Sequence, residues 1–212
     1  MSSITPTRSA ALELEEERRA MREGYRFLDE KRLLLAAEML AELRQYEQAM
    51  RVFNESLGAA RAALQAAVAR HGLDGVQVYP AARLEKPDLR VGSRQLLGVR
   101  LFDAVLHGVT AGAAIAEQVS PEAERCRNRF AELARQAAPL AALSGNLERL
   151  RYEYRRTERR ARALEEVLIP EIDGVIADIE MRLEELDQEE AIRTRGLSAR
   201  PAGKIREKSD ML

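Results

Sequence analysis

The sequence predicts a mainly α protein: a long antiparallel two-helix coiled coil with a small mixed insert of short strands or helix at its turn end. Three observations lead there. Of the 212 residues 46% are hydrophobic but only 4% aromatic, with no Trp, which favours long helices with narrow apolar stripes over a thick globular core. Apolar residues recur every three or four positions in two long runs. Between the runs, glycine, proline and β-tolerant residues gather in 72–119.

The first helix is expected over 5–71. Thr5 followed by Pro6 suits a helix start, because a hydroxyl can accept from the free amides and proline at the first helical position gives up no bond. Leu14, Met21, Leu28 and Leu35 repeat every seven residues. After one extra residue the pattern resumes at Leu43, Met50, Leu57 and Leu64, with Tyr46, Phe53, Ala60 and Ala67 three positions beyond each. This reads as four a/d heptads following a skip. The skip should weaken the left-handed supercoil locally. Gly24 costs the helix about 1 kcal/mol relative to Ala without ending it. The stop is expected at "RHGLDG", with Gly72 and Gly75.

Within the insert, 72–119, "VQVY" and "QLLGVRLFDAVL" read as two or three short strands or a hairpin, while "FDAVLHGVTAGAAIAEQV" is equally compatible with partial helix. Ser120-Pro121-Glu122 opens the second long helix, 120–192, with a cap, a first-turn proline and an acid at the positive end of the dipole. Its stripe includes Leu147, Leu150, Leu164, Leu168, Ile172 and Ile179, joined by Tyr154, Thr157 and Ala161. Pro139 is expected to break or kink the start of this run. Pro170 removes the amide that would bond the Glu166 carbonyl, so a kink costing about 3 kcal/mol is expected there. The stripe should hold its phase through that kink, from Leu164 to Leu168 to Ile172. Residues 193–212 lose the stripe and read as a flexible tail. Heptads alone do not fix orientation, so a parallel homodimer rivals the intramolecular antiparallel pair.

Charge and motifs narrow the function classes. The formal net charge is −1, from 34 basic and 35 acidic side chains, which argues against a general polycation for nucleic acid or membrane. The most apolar window, Ala104 to Ala116, is shorter than the roughly 20 residues a membrane helix needs. Cys126 is the only cysteine and no signal-like segment precedes "SSITPTRSA", so a reducing, cytoplasmic setting is expected. Seven arginines and two glutamates lie between Arg149 and Arg162. A DNA-reading basic region would be free of an apolar seam, whereas Leu150, Tyr154, Ala161 and Leu164 carry the seam straight through. These arginines therefore belong on solvent-facing or partner-facing sides. Farther along, Asp178 to Glu190 holds seven acids and one arginine. His71 and His107 have no ligand cluster at metal spacing. No phosphate-cradling glycine loop is present. No catalytic residue, cofactor or metal is therefore expected, and the chain is expected not to be an enzyme.

Two stretches carry a family resemblance. "PTRSAALELEEERRAMREGYRFLDEKRLLLAAEML" resembles the N-terminal helix of the D subunit of vacuolar/archaeal-type rotary ATPases in its Pro6-Thr7-Arg8 start, mid-helix Gly24 and Lys31-Arg32 pair. "RRTERRARALEEVLIPEI" is similar to the C-terminal signature of that family, a basic run leading to Ala163-Leu164-Glu165 and then Ile169-Pro170. "LLGVRL" resembles its Met-Gly-Val-type insert segment, without the proline that often follows. The resemblance implies a central rotor shaft standing inside a hexameric ring of catalytic and non-catalytic nucleotide-binding subunits. It would join a small central-stalk partner and a connector to the membrane ion-carrying ring, coupling ATP hydrolysis or synthesis to proton or sodium movement. On that reading Arg155, Arg156, Arg159, Arg160 and Arg162, with Arg8, Lys31 and Arg32, would face partner subunits. The alternative is a coiled-coil adaptor or holdase-type chaperone with no rotor role.

Overall fold

The computed structural model describes residues 7–79, 84–109 and 119–198. The Thr5-Pro6 start and the tail beyond residue 198 lie outside the described residues, as do 110–118 of the insert. Helix α1 spans Arg8–Gln77, strands β1 Leu84–Leu96 and β2 Val99–Val109 form an antiparallel pair, and α2 spans Pro121–Ala163. A single π turn, Leu164–Leu168, leads into α3, Ile169–Ser198. Helix thus runs past residue 192, and Thr194 Oγ1 donates to the Glu190 carbonyl within it. No helix among the described residues is long and apolar enough to cross a membrane.

The helix starts follow their capping chemistry. Thr7 caps α1: Ala10 N–H donates to its Oγ1 at 3.2 Å and Ala11 N–H to its carbonyl at 3.1 Å. Ser120 does the same for α2, accepting from Ala123 N–H. Gly72 marks the end of the regular part of α1, with φ 72° and ψ 167°, a conformation L side chains avoid. Pro139 lies inside α2 without ending it.

The chain divides into two compact units, Asp29–Glu158 and the pair Met1–Leu28 with Arg159–Leu212. In the larger unit α1 and α2 run antiparallel. Lys31 pairs with Glu153 near one end and Arg70 with Glu122 near the other. The hairpin seats its tip against both helices. Val99 and Leu101 join Leu35 and Leu150 in one buried cluster, with Met39, Leu96, Leu97 and Tyr154 packed around it. The two-residue turn has positive φ at both Leu97 (50°) and Gly98 (87°), the mirror-image turn that matches the twist of paired strands. Gly98 adopts this freely. Leu97 is held there by its packing against the cluster.

In the smaller unit the first turns of α1 also run antiparallel to their partner. Arg8 pairs with Asp187, and Arg18 and Arg22 both reach Asp173. Ile172, Ile176 and Ile179 of α3 are buried.

The stripe differs from the sequence reading in two regions. Along α1 the covered positions step 35, 39, 42, 46, 49, 53, 56, 60, 63 and 67, all at least half-buried, with no skip. Glu42, 3% exposed, occupies the place seven residues after Leu35, one before the Leu43 of the apolar pattern. Leu43 and Leu64 sit one residue off the seam at 40% and 38% exposure, and Met50 and Leu57, of the same row, are half-buried. At the C-terminal end the stripe moves from Leu164 to Ile169, a step of five, and Leu168 is turned outward. The π turn supplies that extra residue: Ile169 N–H donates to the Leu164 carbonyl, five positions back. Because a wider turn relieves the clash of a proline ring with the carbonyl four residues earlier, Pro170 is accommodated directly after it.

Candidate partner-contact site

The arginines singled out in the sequence lie on exposed faces of α2. Arg155, Arg156, Arg159, Arg160 and Arg162 are all exposed, while Thr157 and Ala161 between them are 2% exposed. The helix thus presents guanidinium groups outward and keeps its stripe closed beneath them. Arg156 lies 3.9 Å from Glu153, and among the described residues Arg155, Arg159 and Arg160 make no ion pair. Arg8 is highly exposed and paired with Asp187. Arg32 bonds Asp29 on its own helix at 2.6 Å. Lys31 pairs within the chain: its ammonium is 2.5 Å from Glu153 Oε1, with the two side chains 17% and 18% exposed.

The seam residues are graded rather than uniform. Leu35, Leu150, Ile172 and Ile179 are buried. Leu14, Met21, Leu28, Leu147 and Leu164 are half-buried. Leu43, Leu64 and Leu168 are about two-fifths exposed.

Sequence reasoning missed the polar clamp that fixes the hairpin to the helices. Arg94 on β1 bonds Glu38 and, at 2.9 Å, Glu42 Oε1. These bonds, Glu38 foremost, raise the guanidinium above its ordinary pKa although burial opposes them. Among the described residues Glu42 Oε2 has no hydrogen-bond partner. On the other side, Asn146, 1% exposed, treats Phe102 as a neighbouring strand would. Phe102 N–H donates to Asn146 Oδ1 and Asn146 Nδ2 to the Phe102 carbonyl, both at 2.8 Å. Arg149 lies over the Phe102 ring, 4.5 Å from its centroid, and donates to Asn146 Oδ1. A charged residue in an otherwise unbroken three-four stripe was the available signal for Glu42. Nothing local marked Asn146.

The turn end is tied by a second polar set. His71 Nε2 and Ser120 Oγ are 2.7 Å apart, and the His71 ring lies tilted on Tyr79. Glu122 is held below the usual carboxylate range first by its own backbone amide, then by the Arg70 guanidinium and the Ser120 hydroxyl. Burial pushes the Cys126 thiol up. No group of His, Cys, Asp or Glu able to hold a metal occurs among the described residues.

These features describe a helical scaffold with a charged exterior. The family model for the D subunit of ATP synthase matches residues 10–198. The chain is 29% identical over 199 residues to the D subunit of the A-type ATP synthase of Methanopyrus kandleri, covering 91% of this chain and 84% of that protein. It is 27% identical to the A-type D subunit of Thermococcus gammatolerans, covering 93% and 94% of the two chains. It is 28% identical to the D subunit of the V-type ATP synthase of Thermus thermophilus, covering 94% and 90%.

Proposed function

We infer that this chain, which belongs to the ATP synthase D-subunit family, is the central rotor shaft of a V/A-type ATPase or ATP synthase. The single observation that carries the reading is the family match from residue 10 to 198, which takes in both helical runs and the hairpin. The chain itself performs no bond chemistry; it transmits torque between a ring of nucleotide-binding subunits and an ion-carrying ring. It works on the cytoplasmic side, peripheral to the membrane through its complex. Its partners are the catalytic and non-catalytic ring subunits, a small central-stalk protein and the membrane-ring connector. No observation favours an adaptor or chaperone.

A pair of helices has no threefold axis, so in a threefold ring it meets three chemically identical interfaces differently. Those sites then hold different nucleotide affinities at one moment, and rotation exchanges them. A shaft that turns must not be trapped at any angle. Exposed charged side chains suit this, since each exposed ion pair contributes only about 0 to 1 kcal/mol. The exposed guanidinium groups of Arg155, Arg156, Arg159 and Arg160 support contact with acidic loops of the ring.

The test is reconstitution. Wild-type chain mixed with ring and stalk subunits should give ion-coupled ATPase activity. Reversing the charge of Arg155, Arg156, Arg159 and Arg160 together should lower coupled turnover or weaken assembly as salt rises. Unchanged coupling across the salt range refutes the role of the arginines, and failure of the wild type to join the complex refutes the shaft itself.

A further inference from the structure

Two rows of apolar side chains run along α3, and the π turn decides which of them is covered. In the present register the stripe passes from Ala161 and Leu164 to Ile169, Ile172, Ile176, Ile179 and Leu183. Ile172, Ile176 and Ile179 are buried, and Ile169 and Leu183 are half-buried. A second row is equally complete. From Leu164 it takes in Leu168, Ile172, Val175, Ile179, Leu183 and Leu186, always in steps of three or four, as an unbroken α-helix requires. Ile172, Ile179 and Leu183 belong to both rows. The members peculiar to the second row are the ones the present register leaves in water: Leu168 is 40% and Leu186 51% exposed, and Val175 is half-buried.

At about 100° per residue, the centres of the two rows lie about 50° apart around the helix. The π turn amounts to one inserted residue, a feature found most often where a helix has a function beyond packing. Taking that residue out of the turn rotates α3 in the sense that brings Leu168 inward and carries Ile169 and Ile176 outward. Local features set the balance. In a continuous α-helix the Pro170 ring meets the Glu166 carbonyl, so proline favours the π turn. Asp173 lies in the row of Ile169 and Ile176, four and three residues from them, and its contacts with Arg18 at 3.2 Å and Arg22 at 3.4 Å hold that row toward α1. Part-exposed pairs of this kind are weak. The second register covers Leu168, Val175 and Leu186 and uncovers Ile169 and Ile176, an exchange of like for like. On α1, Gly24 lies opposite Leu164, where an added Cβ would be 3.9 Å from Leu164 Cδ1, so at this position α1 presents no knob to lock either row.

We propose that Leu164–Leu168 is a register switch: α3 alternates between the π-turn register, with Ile169 and Ile176 inward, and a continuous-helix register, with Leu168 and Val175 inward, and each offers a different outer face to its surroundings. The second register carries Asp173 outward and brings Glu171 and Asp178, which share the side of Leu168 and Val175, toward α1. Helix register shifts of this kind take microseconds to milliseconds.

The switch is a property of the chain alone and is tested on the full free chain. Its Ile, Leu and Val methyl groups are followed by NMR relaxation dispersion and by broadening from a soluble paramagnetic agent. The wild type should show exchange on that timescale with one shared rate at Leu168, Ile169, Val175 and Ile176. Deleting Val167 makes Ile169 the fourth residue after Leu164 in a plain α-helix, so the present register persists without a π turn and the exchange should vanish. Pro170→Ala removes the ring that opposes the continuous helix. Leu168 should then become as protected from the agent as Ile172, while Ile176 becomes exposed. No shared exchange in the wild type, exchange that survives the Val167 deletion, or a folded Pro170→Ala chain in which Leu168 stays exposed overturns the proposal. The wild-type and deletion measurements decide it even where Pro170→Ala fails to fold.

Discussion

Arg94→Leu is the sharpest test of how the hairpin is held. It removes the guanidinium that joins β1 to Glu38 and Glu42 and leaves the Glu42 carboxylate, 3% exposed, with neither oxygen bonded. Removing one member of a buried ion pair costs about 3 to 5 kcal/mol, because the remaining charge is neither hydrated nor paired. Arg94 is itself 47% exposed, so water can enter where its guanidinium stood, and the expectation falls to about 2 kcal/mol. For a chain of this size that lowers Tm by about 4 to 8 °C. Urea unfolding followed by circular dichroism gives the global value, and hydrogen exchange along Val99–Val109 shows whether the hairpin opens first. The partner experiment is the double variant Glu42→Leu with Arg94→Leu. It replaces an ionic contact by apolar packing in the stripe and should return stability to the wild-type value or above it. An Arg94→Leu chain within about 0.5 kcal/mol of wild type, or a double variant no better than the single, refutes the account of Glu42 as a buried charge that depends on Arg94.

Other outcomes follow from the same geometry. Asn146→Ala removes both bonds to Phe102 and leaves a backbone N–H and C=O without partners, so it should cost about 2 kcal/mol, read by urea unfolding, and speed exchange of the Phe102 amide. Gly24→Ala should stabilise by about 0.5 to 1 kcal/mol in thermal melts, since the added Cβ would lie 3.9 Å from Leu164 Cδ1, an ordinary contact. Glu122 has a folded pKa below its ordinary 4.5, so its contribution is present above that pH and is lost as pH falls through the folded value; Glu122→Gln should flatten the acid limb of the stability curve. The Cys126 thiol, raised by burial, should alkylate more slowly than free cysteine at pH 8 until the chain is unfolded.

Leu35, Leu150, Ile172 and Ile179 were legible because a long helix that buries one narrow stripe must repeat apolar residues every three or four positions. The outward-facing arginines were legible for the complementary reason, since the stripe passes between them. The register through Glu42 was not. A carboxylate in a seam looks like an error until Arg94, 52 positions away in the chain, is brought to it. Transfer energy alone favours leucine over glutamate at a covered position, so the apolar pattern points to Leu43. At Pro170 the ring chemistry foretold a disturbance, but whether the helix kinks, stops or widens depends on which residue next faces the partner helix. Ile169 rather than Leu168 does so, and the π turn follows.

By itself, then, the sequence determined two long helices, the breakers between them and the charged exterior, because these depend on local periodicity and on backbone chemistry at Gly and Pro. Only the tertiary structure decided which of two adjacent apolar rows on α1 became the internal seam and which was left partly exposed. It also decided how a hairpin tip is fixed by Arg94 and Asn146. Both choices rest on contacts between residues far apart in the chain, and no local pattern records them.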